Sequence, residues 1–559
     1  MKLYRLVPIP FLLFSTTYAG LVQPPNLVVP PAYAAVKAEV VDIFLHSYLS
    51  YKEYAWSHDN LAPLSRSFNE GRNGWGATIV DAMGTMKIMG LETLLEEAID
   101  YSSKIDFSDS KTPDRVSIFE TTIRYLGGLL STYELTDQKY PALLEQARKL
   151  TDKMAYGWVG ENNVPYGFVN FTNNEPQVTV TNIAEAGTLT LEWETLSKHT
   201  GNKTYEDLVL RSVRHIASLE APLPALAPVW IDPTTGTFSG GYITWGGGGD
   251  SYFEYLIKHA RLSNTDDNLY ADTWLTAIDS SIQHLLKTST VGNHTYLADY
   301  DSDQRLRFTS SHLACFHGGN FLYGAYGHIL DIFKTHPALI SGGRLLDNQT
   351  IIDVGLRLVD GCWNTYASTV TGIGPESFGF ITEEGSYTGP SDTISDEQLE
   401  FYNKTGFYPR STAYIHRPEV LESNFYAWRV TGDTKYLDRA MSAVRSFDKY
   451  LRIPSGFPGV WNVNQPGGGL IDDTESFWFA ETLKYLYLTF DDPSHISLDE
   501  WVFNTEAQPF KAPPPKPGYG SGIIRQPTGT FKLKEGPPGP AYSDSPGARI
   551  ANIPNRIRD

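Results

Sequence analysis

Cysteine is almost absent from these 559 residues, with Cys315 and Cys362 the only two. A metal centre built on paired thiolates is therefore not expected, because no second pair completes the ligand set. In an oxidising compartment one disulfide closing the loop between them is expected, and two buried thiols are the alternative. Basic residues are also in deficit: 45 Lys and Arg stand against 64 Asp and Glu, a formal charge of −19. Such a chain offers no basic face to a phosphate backbone, so nucleic acid is not expected as a partner. Long apolar runs are missing beyond the first twenty residues, so no later segment is expected to span a membrane.

The N-terminus is different. Lys2 and Arg5 precede an apolar stretch from Leu6 to Phe14, and Thr17-Tyr18-Ala19 offers small residues for cleavage. Residues 1–19 read as a secretory signal peptide, with an uncleaved anchor as the alternative. Five acceptor sequons agree with that route, at Asn170, Asn202, Asn293, Asn348 and Asn403. The expected destination is the secretory pathway, most simply the outside of the cell, with retention in the ER, Golgi or vesicles as the alternative. Aromatic residues are plentiful, including 12 Trp and 33 Tyr. They serve either as platforms for sugar rings or as filling for a large core.

From about residue 35 to 510 the chain reads as one domain of helices joined by polar turns. Phe119, Ile123, Leu126, Leu130 and Tyr133 fall at helical spacing, and the stretches 251–262 and 475–488 behave alike. A weak repeat supports paired helices. Thr136 to Tyr140, Thr200 to Tyr205 and Thr431 to Tyr436 each close one helical pattern and open another. In the second and third, Gly supplies a left-handed cap. Helical hairpins of this kind bury their faces on neighbours, and periodicity leaves open solenoid and closed ring equally available. Segments 229–249 and 373–390, rich in Gly, Pro, Ser and Thr, read as long loops or short hairpins. Residues 511–559 turn to Pro, Gly and Lys and are expected to form a disordered tail.

Three places put carboxylates inside otherwise apolar sequence. Glu120 and Arg124 lie four apart on one helical face, where an ion pair is the ordinary explanation. Asp250 follows four glycines and precedes Glu254 by one turn, a pattern that also suits a helix cap. Glu419 and Glu422 follow Arg417-Pro418 at a helix start. Brought together at one end of a helical ring, such acids suit glycoside hydrolysis, which needs one carboxylic acid and one carboxylate.

The chain resembles the class I α-1,2-mannosidases, glycoside hydrolase family 47, and among them the secreted fungal type. The matching stretches include Ser57-His-Asp-Asn-Leu61, Gly74-Trp-Gly-Ala-Thr-Ile-Val-Asp81, Phe119-Glu-Thr-Thr-Ile-Arg-Tyr-Leu-Gly-Gly128 and Gly187 to Glu192. They continue in family order through Asp250 to Leu256, His312 to Phe316, Pro375 to Phe378, Arg417 to Ser423, Glu475 to Tyr487 and Val502 to Glu506. The resemblance implies an all-α fold, an (α/α)7 barrel with long loops and short β-hairpins, and an inverting exo-acting enzyme. Its expected activity removes α-1,2-linked mannose from high-mannose N-glycans. By analogy Glu419 is the base; Glu120 is the first choice for the acid, acting through a water, and Asp250 its competitor. A calcium ion is implied at Thr505, with waters completing its shell of oxygen ligands. Arg124, Glu185, Glu254, His312, Glu376, Arg417, Glu422, Glu475, Phe477, Glu481 and Glu506 are the candidates for that outer shell or for sugar contacts. Cys315 and Cys362 match the family's disulfide pair. A monomer is expected.

Some positions depart from the family's pattern. Gly84 stands where many relatives carry an acid; the secreted fungal members also lack that acid. Gln508 replaces a His beyond Thr505 and is expected to loosen the calcium loop slightly. His416 replaces a Leu before Arg417. Gly248 stands where relatives that stop after one mannose carry Arg, so removal of several mannoses is expected. A non-catalytic mannose-binding relative in glycoprotein quality control is the alternative.

Overall fold

The computed structural model describes residues 22–327, 339–341, 344–390, 392–516 and 518–525. The expected signal peptide lies outside them, as does the tail beyond residue 525. Short turns join an inner helix to an outer one at three repeated places. Gly201 and Gly432 sit in the left-handed region, with φ of 73° and 69°, and the next helices start at Thr204 and Lys435. In the first copy Asp137 and Gln138 take the left-handed conformation instead. All three repeats read in the sequence are therefore the same hairpin turn.

Seven segments form an inner ring: 77–89, 118–135, 183–200, 250–263, 317–327, 419–431 and 478–490. Each packs against the next, and the last returns to the first, so the helices close into a barrel. Outer helices at 34–54, 92–102, 141–154, 204–218, 269–280, 348–367 and 435–451 cover it. The division follows from composition. Ala77–Met89 is buried on nearly every residue, whereas its outer partner Glu92–Ser102 buries only Leu95, Ala98, Ile99 and Ser102. A helix apolar all round belongs inside, and one with a single apolar stripe belongs at the surface. Close approach within the ring needs small residues. A Cβ on Gly128 would stand 2.8 Å from the carbonyl oxygen of Val80 on the neighbouring helix.

Since outer and inner helices alternate along the chain, from 34–54 to 478–490, each running back on the one before, the inner helices share a direction. Their N-termini therefore gather at one mouth, which brings seven positive dipole ends together where acidic side chains are favoured. The loops at that mouth carry short antiparallel strand pairs, such as Trp230–Asp232 with Thr237–Phe238 and Ser377–Gly379 with Thr309–Ser311.

Cys315 and Cys362 are bonded, tying the turn before helix His317–Gly327 to outer helix Asn348–Ala367 across 47 residues. Replacing both cysteines by serine is expected to lower stability by about 2–4 kcal/mol, from the entropy of the opened loop. Urea unfolding measures this. Past residue 510 the described chain stays attached to the barrel. Lys516 pairs with Asp266 at 2.5 Å, and the Ser521 hydroxyl donates to Asp272 at 2.6 Å.

Candidate active site

A cavity of about 810 Å³ opens at the mouth where the inner helices begin. Glu120, Arg124, Glu185, Asp250, Glu254 and Arg417 line it, together with Glu419, Glu422, Glu475, Phe477, Glu481, Thr505 and Glu506. His312 and Glu376 do not reach the cavity surface; they stand behind it and hold residues that do.

Local structure explains each placement. Ser117 caps the helix that carries Glu120, its Oγ accepting from the Glu120 amide at 3.2 Å. Residues Thr122–Leu126 form a π turn within the same helix, which rotates Arg124 into the cavity. Asn182 caps the turn Ile183–Gly187, its Oδ1 accepting from the Glu185 amide at 2.8 Å. Asp250 opens its helix after Gly248, whose φ is +88°, and Gly249, where a Cβ would meet the Thr244 carbonyl at 2.4 Å. Glycines allow that tight turn, so the end of the segment read as a long loop or short hairpin is a fixed elbow. His416, with φ of +71° and its ring bonded to the Phe457 carbonyl at 2.9 Å, turns the chain so that Glu419 begins the next helix.

The two carboxyls nearest in role differ sharply in charge. Burial pushes Glu120 up, but Arg72 and Arg124 outweigh it and hold the carboxyl at about 2. Arg124 Nε donates to Glu120 Oε2 at 2.8 Å, and Arg72 Nε approaches the same oxygen to 3.3 Å. Asp250 has no basic partner of this kind. Burial pushes it up to about 6, despite bonds from the Ser251 amide and hydroxyl at 2.6 and 2.9 Å. Burial also works against the charge on Glu419. The His312 hydrogen bond and the positive Arg417 overcome it and keep this carboxyl below its ordinary value.

Glu419 is braced on both oxygens. His312 Nδ1 donates to Oε2 at 2.8 Å, and its Nε2 meets the Tyr366 hydroxyl at 2.8 Å, which fixes the ring and its tautomer. Arg417 reaches Oε1 at 3.5 Å while its Nε donates to Glu376 at 2.5 Å. Phe477 lies under the Arg124 guanidinium, 5.4 Å from ring centroid to carbon, and Arg124 also pairs with Glu506.

At the base of the cavity the loop 504–508 is tightly tied. Asn504 Oδ1 accepts from the amides of Glu506 and Gln508 at 2.9 and 2.7 Å. Asn504 Nδ2 donates to Glu192 at 2.7 Å, and Lys484 Nζ donates to the Ala507 carbonyl at 2.6 Å. Gln508 is buried, with its Nε2 directed at the Asp81 carbonyl at 3.4 Å and its Oε1 3.4 Å from Lys484. A Cβ on Gly84 would stand 3.0 Å from that Oε1, so the two departures read in the sequence are neighbours in space. Gln508 is bonded through backbone and side chain, which holds the loop in place.

Around Thr505 the cavity carries more acid than it neutralises. Glu254 pairs with Lys258, but Glu422 is pushed up to about 8 by burial and by the charge of Glu254. Glu481 is raised well above its ordinary value by burial and by Glu506. Among the described residues, no group of three or more His, Cys, Asp or Glu converges to hold a metal directly. Thr505, Glu422, Glu481 and Glu506 all line this part of the cavity, and oxygen donors of this kind are the type a hard cation takes.

Residues 43–512 match glycosyl hydrolase family 47. The chain belongs to this family. A family 47 relative from Aspergillus clavatus, named a probable mannosyl-oligosaccharide α-1,2-mannosidase 1B, is 41% identical over 501 residues, 85% of this chain and 92% of its own. The mannosyl-oligosaccharide α-1,2-mannosidase 1B of Emericella nidulans is 40% identical over 516 residues, 87% of this chain and 96% of its own. An α-1,2-mannosidase structure from Trichoderma reesei superposes with a TM-score of 0.79 at 34% identity, covering 87% of this chain and all of that one. As a family 47 member the chain is a glycosidase with the helical fold expected from its sequence.

Arg72 and Tyr366 were missed by sequence reasoning, although one sets the charge on Glu120 and the other orients His312. Arg72 adjoins the Gly74-Trp75 motif and was legible there; Tyr366 carries no signal, since it is one buried tyrosine among many.

Proposed function

We propose that this protein is an inverting, exo-acting α-1,2-mannosidase that trims several mannoses from high-mannose N-glycans. One observation carries the proposal: a single cavity holds a braced Glu419 that ionises below the ordinary range and an Asp250 that keeps its proton up to about pH 6. Hydrolysis of a glycoside needs that pair of opposite states. Glu419 takes a proton from the attacking water as the bond to the leaving oxygen breaks, and a carboxyl on the other side gives a proton to that oxygen. The resting charges make Asp250 the proton holder. Glu120, first choice from the sequence, donates only if substrate draws it away from Arg72 and Arg124. Phe477 offers its ring to a sugar face, and Arg124, Arg417 and the surplus carboxylates suit mannose hydroxyls. Gly248 leaves its side of the cleft without a side chain, which suits continued trimming. The Thr505 oxygens would hold calcium, which would supply positive charge to the surrounding acids and a grip on sugar hydroxyls. The disulfide suits a protein exported through the secretory pathway, and we infer a monomer.

Mannose release from a high-mannose N-glycan, followed by proton NMR, tests this. The expected first product is β-mannose, with several residues lost per glycan. Release of α-mannose first would replace inversion by retention, and no release from calcium-loaded protein would leave a binding protein. The plot of kcat/KM against pH is expected to be bell-shaped. Activity falls on the acid side as Glu419, whose value lies below 4.5, gains its proton, and on the alkaline side near pH 6 as Asp250 loses its own. Asp250→Asn is expected to remove the alkaline limb along with most activity.

A further inference from the structure

We propose that Trp461 is the platform of an outer subsite, stacking a mannose of the same oligosaccharide whose terminal residue enters the cavity. The inference rests on the activity proposed above. Trp461 is 57% exposed, the most open aromatic side chain among the described residues. A lone exposed ring is ordinary on a protein surface, but three observations set this one apart.

The backbone that carries the ring is held in place, and one edge of the ring is backed. Its amide donates to the Gly469 carbonyl at 3.0 Å, and its carbonyl accepts from Thr412 Oγ1 at 2.9 Å. A Cβ on Gly469 would stand 3.2 Å from the indole Cδ1, so that glycine's bare backbone, at φ +87°, backs the ring. A fixed aromatic loses little freedom when a ligand stacks on it.

The ring is also joined to the cavity. Tyr414 and Val460 exchange backbone hydrogen bonds at 2.8 and 3.0 Å, and the Val463 amide donates to Thr412 at 2.9 Å. Three residues after Thr412, Ile415 lines the cavity, with Arg417 just beyond it. An extended chain advances roughly 3.3 Å per residue, so Thr412, which bonds the Trp461 carbonyl, lies within roughly 10 Å of Ile415 at the cavity wall. A short oligosaccharide covers that distance.

The surroundings suit a neutral ligand. Residues 453–471 contain no charged side chain, in a protein of net charge −19. Asn462, Asn464 and Gln465, all with amide side chains, follow Trp461 within four residues. An apolar ring flanked by amides matches a pyranose, which has one apolar face and a rim of hydroxyls.

The test compares Trp461→Ala and Trp461→Phe with the parent protein on two substrates, a high-mannose N-glycan and α-1,2-mannobiose. With alanine, KM for the glycan is expected to rise about three- to tenfold, as loss of one stacked ring predicts. Its kcat and both constants for mannobiose stay unchanged, and phenylalanine restores most of the loss. A glycan KM that does not move, or a mannobiose KM that rises with it, overturns the subsite. Parent protein that hydrolyses neither substrate overturns the activity itself, and the subsite with it.

Discussion

Glu419→Gln is expected to lower kcat about a hundredfold to ten-thousandfold while KM changes little. The amide keeps the shape of the side chain and still accepts a hydrogen bond from His312 through its oxygen. It has no basicity with which to take a proton from water. The change does not strand Arg417, because Glu376 remains its partner at 2.5 Å. Stability is therefore expected to stay close to that of the parent protein, and a thermal melt separates lost chemistry from lost structure. A folded variant that keeps a tenth of the parent rate removes Glu419 from the role of base. His312→Ala provides a graded comparison. It leaves the carboxylate in place but removes the bond that holds it and lowers its proton affinity. Its acid limb is expected to move to higher pH, a shift that a purely structural residue does not produce.

Removing calcium is expected to give the second large effect. Chelation should abolish detectable mannose release, and calcium should restore it. The physical ground is the charge at the base of the cavity. Glu422 is buried beside the charge of Glu254 and Glu481 beside that of Glu506, while Lys258 and Arg124 already pair with Glu254 and Glu506. A divalent cation lowers the cost of holding those carboxylates ionised. Stability should follow the same dependence. At a calcium concentration a hundred times its dissociation constant, the folded state gains about 2.7 kcal/mol. Thr505→Ala is expected to lose that gain in a thermal melt, independently of activity. A chelated enzyme that keeps its full rate would falsify the calcium requirement.

The chemistry of the site was only partly legible in the sequence. Glu120 and Arg124 showed as an ion pair at helical spacing, and that pair exists at 2.8 Å. Spacing did not bring Arg72 to the same oxygen, and this second guanidinium is what keeps Glu120 ionised. His312 and Glu376 read as sugar contacts by resemblance, whereas they stand behind the cavity as braces for Glu419 and Arg417. Gly84 and Gln508 read as separate departures more than 400 residues apart, yet a side chain on the first would press on the second.

By itself the sequence determined the helices, their turns, the disulfide partners and the family. Those features rest on local periodicity, on glycine's access to left-handed backbone, on having two cysteines and on ordered motifs. The tertiary structure alone decided which acid keeps its proton to higher pH, which polar residues face the cleft and which support it, and that Trp461 is exposed. Charge state depends on burial and on neighbours brought from distant segments, and no spacing along a chain encodes that distance.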